Sequence, residues 1–244
     1  MCDKQELFIL IDDSGKLNKN EMTCIFGGLF FYSSTEYLNF INKYKNIINN
    51  IKCKYCHRKP CDKECDEIKG TTRLKPKHRR RIFNLVKHQN NFGVFINNEE
   101  IYGNIMNNKS ARGRFTDYAQ KRIIKDIVMH SIDACKININ KPLYLYIKTD
   151  EYTSKSNGYY NLKDSIYEEL VNGVINFNYS SVHSPILKSD LHISYTMYNS
   201  KYNFGVQSAD FIAHYLHEQY QKHIALGIDI SSTINFIDVK LFLP

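Results

Sequence analysis

The chain has 244 residues, of which 43% are hydrophobic and 13% aromatic, and its formal net charge is +8 at pH 7. This length and composition are typical of one globular domain with a sizeable core, here residues 1–244, and exclude a disordered chain. No apolar run reaches the roughly eighteen residues of a membrane helix, and the first five residues lack the pattern of a secretory signal. We therefore expect a cytoplasmic protein without a membrane partner.

The hydrophobic pattern switches repeatedly between the strand period and the helix period. Predicted strands occupy 6–15, 23–32, 92–100, 142–150, 191–198 and the extended tail from residue 234. Predicted helices occupy 34–50, 77–88, 112–137, 162–174 and 204–223, the first of them capped by Ser33 or Ser34 with Glu36 nearby. The first two strands are expected to form a hairpin. This order, without repeats or a linker, predicts one α/β domain.

Four cysteines follow the spacing C-x2-C-x4-C-x3-C, namely Cys53, Cys56, Cys61 and Cys65. In a cytosolic chain such spacing favours a metal site over disulfides, and four thiolates can enclose one tetrahedral Zn²⁺. An iron–sulfur cluster is the main alternative, although the ferredoxin spacing differs, and His57 could replace one thiolate. The pattern predicts a structural zinc ion in an inserted loop, residues 52–66, whose spacing resembles a zinc knuckle.

Positive charge is concentrated between Lys52 and Lys87, where 13 Lys or Arg residues face 4 Asp or Glu residues. A solvated lysine-rich surface is the simpler interpretation, but it would be expected to spread the charge more evenly. A concentrated patch favours a phosphate backbone as partner. The residues expected to contact nucleic acid are Arg73, Lys75, Lys77, Arg79, Arg80 and Arg81. RNA is slightly favoured over DNA, because exposed bases give tyrosine side chains a stacking partner.

Four carboxylates stand at the ends of predicted elements: Asp12, Glu67, Asp150 and Asp210. Taken singly, each has an ordinary explanation as a turn residue, a strand end, a helix N-terminal charge or a solvated side chain. Together they suggest one acidic site, because Asp12 and Asp150 follow strands of the same sheet and Asp210 can lean toward it. Clustered carboxylates repel one another unless hard cations bind them, so the set predicts two Mg²⁺ or Mn²⁺ ions.

Four segments, "IDDSG", "EIKG", "YIKTD" and "NSKYNFGVQSADFIA", resemble in order the motifs of a bacterial and phage family called domain of unknown function 3800. That family is similar to the ribonuclease H-like superfamily, which cuts nucleic acids at an acidic two-metal site. The resemblance implies an α/β fold with a ribonuclease H-like mixed sheet flanked by helices. The zinc loop does not follow from it.

The same resemblance assigns roles to individual residues. It implies that the metal-binding carboxylates are Asp12, Glu67, Asp150 and Asp210, with Asp13 standing where the family often has glutamate. Lys69 and Lys201 match family lysines that could hold a phosphate. Gln207 matches the glutamine that opens the last helix.

These observations predict a metal-dependent nuclease that cleaves phosphodiester bonds of RNA or DNA. The family resemblance implies the setting of phage defence or a mobile element. One alternative is a zinc-containing protein that binds nucleic acid without cutting it. A second alternative is a phosphodiesterase acting on a small nucleotide. His214, one turn beyond Asp210, is interpreted as an ordinary helix residue, with proton transfer as the alternative role.

Overall fold

A computed structural model describes residues 4–55, 68–71, 74–151, 161–176 and 181–244. The strands are β1 Gln5–Ser14, β2 Thr23–Phe31, β3 Asn90–Asn97, β4 Leu143–Asp150, β5 Val174–Asn176, β6 Ser181–His183, β7 Leu191–Tyr198 and β8 Val239–Leu243. The α-helices are α1 Ser34–Tyr55, α2 Pro76–Val86, α3 Gly103–Met106, α4 Lys109–Asp133, α5 Leu162–Tyr167 and α6 Phe204–Leu226. A π-helical turn, Glu168–Asn172, follows α5, and a 3-10 turn, Ser200–Tyr202, precedes α6.

Six strands form one mixed sheet in the order β7-β4-β1-β2-β3-β8. Strand β2 runs antiparallel to both of its neighbours, and the other neighbouring pairs are parallel. These are the six strands that the sequence predicts, and β1 and β2 form the expected hairpin. Strands β5 and β6 form a separate two-stranded sheet. The prediction of an α/β domain with a mixed sheet is confirmed.

Several helix boundaries differ from the prediction. Helix α1 continues to Tyr55 rather than ending near residue 50, so Cys53 belongs to its last turn although it was expected in the loop 52–66. The predicted helix over 162–174 changes to a π-helical turn after Tyr167 and ends at Gly173, whose φ of 75° favours glycine. The start of α1 is as expected, since Ser33 Oγ accepts a hydrogen bond from the backbone N–H of Glu36.

The sheet has an apolar layer on each face, which is why its central strands are nearly continuous apolar runs. Alternate residues of β1, such as Leu7, Ile9 and Ile11, pack with α4 and α5 on what we call the α4 face. The intervening residues Phe8 and Leu10 pack with α1, α2 and α6 on the α6 face. Among the described helices, none is long and apolar enough to cross a membrane.

Helix α6 approaches the sheet closely because β2 has glycine beneath it. A Cβ atom on Gly27 would lie only 2.8 Å from Ala213 Cα. The start of the helix is fixed by Asn203, whose side chain accepts hydrogen bonds from the N–H groups of Gly205 and Val206. Its end is marked by Gly227 in the left-handed conformation. These features set the register of α6 over β1 and β2.

Candidate active site

Asp12 and Asp150 reach the same edge of the sheet because their strands are parallel neighbours. The register pairs Ile11 of β1 with Thr149 of β4, and each aspartate is the next residue of its strand. Side chains alternate along a strand, so Asp12 shares the α6 face with Leu10. The two carboxylates therefore stand side by side at the carboxyl ends of two central strands, the edge where α/β sheets place their ligands.

Helix α6 brings Asp210 to the same place. Ala213 packs on Gly27, and Gly27 is the residue of β2 that pairs with Asp12. Asp210 precedes Ala213 by three residues, which puts both on one side of the helix. Asp12 and Asp210, expected from the sequence to share one site, are thus brought together.

The aspartates lie close enough to perturb one another electrostatically. Burial, followed by the charges of Asp210 and Asp13, raises the pKa of Asp12 well above its ordinary value. Burial, followed by the charges of Asp150 and Asp210, raises the pKa of Asp13 to about 6. The first cause penalises the charged form of each carboxyl and the second adds like-charge repulsion. The fold therefore brings carboxyl groups together in a buried site, where their charged forms are disfavoured.

A turn between β7 and α6 holds Asp150 in position. Asp150 Oδ1 accepts hydrogen bonds from the backbone N–H groups of Glu151 at 2.9 Å and Ser200 at 3.1 Å. The buried side chain of Gln207 donates to the carbonyl oxygens of Ser200 at 2.7 Å and Lys201 at 3.2 Å. Gln207 therefore links the turn to α6. Because Ser200 of the same turn donates to Asp150, the turn also links Asp150 to α6. Lys201, the residue after Ser200, is exposed.

The segment "IKG" at 68–70 also reaches the site. The backbone N–H of Gly70 donates a hydrogen bond to Asp210 Oδ2, and a Cβ atom on Gly70 would lie 2.6 Å from His214 Cβ. Ile68 is buried and Lys69 is exposed. Glu67, which directly precedes this segment and was expected to bind metal, lies outside the described residues.

Helix α2 carries the basic patch next to the acidic site. Its exposed basic side chains are Lys77, Arg80 and Arg81, and the exposed Lys75 caps it. Arg79 instead forms an ion pair with Glu218 of α6 at 2.8 Å, and Glu218 also lies 3.4 Å from His214. The predicted contact residue Arg73 lies outside the described residues. Five of the six predicted basic residues therefore belong to one helix and its cap, packed against the helix of Asp210.

A cavity of about 410 Å³ lies between α2 and α6. Gly70 and His214 line it on the side of Asp210, and Arg79 and Arg80 line it on the side of α2. The aromatic rings of Phe83 and Tyr215, whose centroids are 4.4 Å apart, also line it. Its volume is within the range of small-molecule sites. The cavity combines aromatic surface with positive charge beside the acidic cluster.

The sequence did not single out the pair formed by Ser14 and His217. Ser14 follows the two aspartates of β1, and its Oγ lies 3.2 Å from His217 Nδ1. Burial is the first cause that lowers the pKa of this histidine. His217 is partly buried on α6. Its spacing of seven residues from Asp210, two helical turns, was the available signal.

The donor chemistry of the cluster suits hard divalent cations. Asp12, Asp13, Asp150 and Asp210 offer only carboxylate oxygens, the ligands that Mg²⁺ and Mn²⁺ prefer. Their mutual repulsion, seen in the raised pKa values of Asp12 and Asp13, is the penalty that a cation would remove. Over the described ranges, no three acidic, histidine or cysteine side chains stand in a ready ligating arrangement.

The predicted zinc site cannot be placed in the fold. Cys56, Cys61 and Cys65 lie outside the described residues, as does most of the loop 52–66. Of Cys53 only the backbone, at the end of α1, is described. Zinc binding by these cysteines stays a prediction.

No model of a known protein family matches the chain, and no curated protein matches it closely enough to count as a relative. The function must therefore be argued from the chemistry and geometry of the site itself.

Proposed function

We propose that the protein is a metal-dependent nuclease that hydrolyses phosphodiester bonds in RNA or DNA. The observation that carries this proposal is the convergence of Asp12, Asp13, Asp150 and Asp210, two of them with pKa values raised by burial and by the charges of the others. A purely structural cluster of this kind would be costly, because like charges in a buried place destabilise the fold. Strongly perturbed carboxyl groups are typical of functional sites.

In this proposal Asp12, Asp150 and Asp210 hold divalent cations, with Asp13 and Glu67 as further ligands. A divalent cation bound there supplies Lewis acidity at the phosphoryl oxygen and lowers the pKa of bound water. The chain contributes orientation: Ser200 fixes one oxygen of Asp150, and Gly70 fixes one oxygen of Asp210. These backbone contacts fix the orientation of both carboxylates.

Lysine side chains near the cluster are suited to the phosphates of the substrate. Lys201 is exposed one residue after Ser200, whose N–H donates to Asp150, and Lys69 is exposed one residue before Gly70. Farther out, α2 presents Lys77, Arg80 and Arg81 to solvent. We propose that the two lysines contact the phosphates next to the cleaved bond and that α2 contacts the backbone beyond it.

The mixed sheet, the helices on both of its faces and the aspartates at the ends of β1 and β4 fit the ribonuclease H-like fold that the motif resemblance implies. We propose that the chain has this fold and that the inserted cysteine loop binds one Zn²⁺ as a structural ion.

The direct test is cleavage of labelled single-stranded and structured RNA and DNA with Mg²⁺, with Mn²⁺ or with a chelator. The wild-type chain should cut only with a divalent cation. Asp12→Asn and Asp210→Asn should each lose more than about a hundredfold in rate, the scale of removing one electrostatic catalytic group, while binding of the substrate persists.

The matched control is Asp117→Asn on α4, because Asp117 is also a partly buried acid with a pKa raised by burial. This variant should cut at the wild-type rate. If the wild-type chain cuts no RNA or DNA with Mn²⁺ yet binds it, the alternative of a non-catalytic binding protein is favoured instead.

The cavity beside Asp210 favours a second candidate, a phosphodiesterase that acts on a small nucleotide. Its 410 Å³, two arginines and three aromatic side chains (Phe83, Phe211 and Tyr215) could accommodate a base and a phosphate. Salt dependence separates the two candidates. Binding of a long nucleic acid falls steeply as salt rises, whereas binding of a small nucleotide with few phosphates falls much less.

A further inference from the structure

One end of the α6 face carries a row of aromatic rings that leads to Asp150. In β4, Leu143, Leu145 and Ile147 are buried on the α4 face, and the alternating residues between them point to the α6 face and stay partly exposed. These alternating residues are Tyr144, Tyr146, Lys148 and Asp150. Asp150 is therefore the last member of a row that runs the length of the strand.

The neighbouring strand β7 extends this surface. The register pairs Tyr144 with His192 and Asp150 with Tyr198. His192 and Ser194 are exposed, and Tyr198 is partly exposed. Strand β7 is the edge of the sheet, so this part of the α6 face borders solvent. We call Tyr144, Tyr146 and Tyr198, with Lys4 and Lys148, the tyrosine row.

Cations and rings are interleaved along the tyrosine row. Lys4 Nζ lies 4.4 Å from the ring centroid of Tyr144 and donates a hydrogen bond of 3.2 Å to the hydroxyl of Tyr146. Lys148 Nζ donates a hydrogen bond of 2.8 Å to the hydroxyl of Tyr37 on α1 and lies 5.8 Å from the ring centroid of Tyr198. The Tyr144 ring also stacks on His192, with centroids 4.5 Å apart. Flat π-surfaces alternating with positive charges are the combination that binds single strands, whose bases stack while their phosphates pair with lysine.

We propose that the tyrosine row binds single-stranded nucleic acid and guides it to the acidic site. Only the statement that the strand is guided to the acidic site rests on the proposed nuclease function. The positive charge of Lys148 and the partly exposed rings favour a polyanion with unpaired bases, whereas Lys4 is already paired with Glu6 at 3.1 Å. The six residue-to-residue steps from Tyr144 to Asp150 span about 20 Å, which corresponds to roughly three to six nucleotides.

Binding is measured separately from cleavage, by fluorescence anisotropy of a labelled single-stranded oligonucleotide of about ten nucleotides in the presence of a chelator. Tyr144→Ala should weaken binding by about tenfold, the scale of losing one base–aromatic stack. Lys148→Met should reduce the slope of log affinity against log salt by about one phosphate contact. Oligonucleotides shorter than the row should bind more weakly than longer ones.

The matched control is Tyr167→Ala, since Tyr167 is a 38% exposed tyrosine on α5, which packs against α4. This variant should bind like the wild type, and thermal melting should show that all variants fold. The proposal is overturned if Tyr144→Ala binds the single strand like the wild type, or if a duplex of the same sequence binds as tightly as the single strand.

The outcomes also distinguish this inference from the nuclease proposal. If Tyr144→Ala loses binding while the wild-type chain cuts nothing with Mn²⁺, strand binding by the tyrosine row is supported and the nuclease proposal is wrong. If the wild-type chain cuts nucleic acid and Tyr144→Ala binds it normally, the nuclease proposal is supported and strand binding by the tyrosine row is wrong.

Discussion

The backbone N–H of Gly70 donates a hydrogen bond of 2.5 Å to Asp210 Oδ2. This contact joins residues 140 positions apart and ties the segment before α2 to the helix that carries one of the site carboxylates. It holds one oxygen of Asp210 in place. Gly70 is also the point at which the basic helix α2 is linked to the acidic site.

Replacing Gly70 with alanine should loosen this link. The new Cβ atom would lie 2.6 Å from His214 Cβ and 3.0 Å from the carbonyl oxygen of Asp210, so the segment must move away from α6. We expect Gly70→Ala to lower the cleavage rate about tenfold or more, because small displacements in a catalytic site are costly. The control is Gly113→Ala on α4, where nothing lies within 4 Å of the added Cβ. Equal rates for the two variants would contradict the expectation.

The raised pKa values predict how stability depends on pH when a chelator removes divalent cations. Asp13 has a pKa of about 6 in the folded chain and an ordinary value of 3.8. Between these values the folded state binds more protons than the unfolded state, so the free energy of unfolding falls as pH rises from about 4 to 6. Asp12 is shifted in the same direction.

Thermal melting at a series of pH values measures this effect. Asp13→Asn should show a smaller fall than the wild type over the window from about pH 4 to 6, whereas Asp133→Asn, which changes an exposed acid on α4, should follow the wild type. Parallel curves for the wild type and Asp13→Asn would show that Asp13 has an ordinary pKa in the folded state.

A second charged cluster should matter for stability but not for activity. Glu169 lies in the π-helical turn and is 5% exposed. It forms ion pairs with Lys125 at 2.6 Å and with Lys121 at 3.1 Å. Glu169→Ala would leave two poorly exposed lysines without this partner, so we expect a loss of about 3 kcal/mol in unfolding free energy. Urea denaturation measures it. A loss below about 1 kcal/mol would show that the lysines find other partners.

The same cluster has a pH signature opposite to that of Asp13. Burial alone would raise the pKa of Glu169, but hydrogen bonds from Lys125 and Lys121 hold it below its usual value of 4.5. The stability that Glu169 contributes is therefore present above that pH and is lost as pH falls below it. Glu169→Gln should remove this acid-side loss when melting is followed toward low pH.

The cysteine loop predicts one zinc ion per chain. Elemental analysis of the purified protein should find zinc in equal amount to protein, and Cys61→Ser should reduce it and lower the melting temperature. Cys135→Ser is the control, because Cys135 is an exposed free cysteine elsewhere in the chain. Iron, or no metal at all, would refute the assignment.

Much of the sheet could be predicted because its strands are apolar runs that end in polar or turn-forming residues, as β1 does at Asp12, Asp13 and Gly15. The neighbours of each strand could not be predicted. The pairing of β1 with β4 joins residues more than a hundred positions apart, and nothing in either sequence specifies that partner. The meeting of Asp12 with Asp150 depends on that pairing, so from sequence alone it could only be a hypothesis.

The alternating polar and aromatic residues of β4 are visible in the sequence, but their position near the sheet edge is not. Tyr144, Tyr146 and Lys148 alternate with buried residues, which is the ordinary pattern of a strand with one apolar face. These side chains are partly exposed because β4 has only the edge strand β7 beyond it. That exposure is what makes them candidates for binding. The end of α1 was misplaced for a different reason, since the cysteine spacing suggested a loop from Lys52 whereas the helix runs on to Tyr55.

The central claim is that Asp12, Asp150 and Asp210 share divalent cations. Anomalous diffraction from crystals soaked in Mn²⁺ tests it most directly. We predict a manganese peak at about 2.1 Å from a carboxylate oxygen of Asp12 and of at least one of the other two aspartates. Clear density for all three side chains at saturating Mn²⁺, with no peak among them, would contradict the claim.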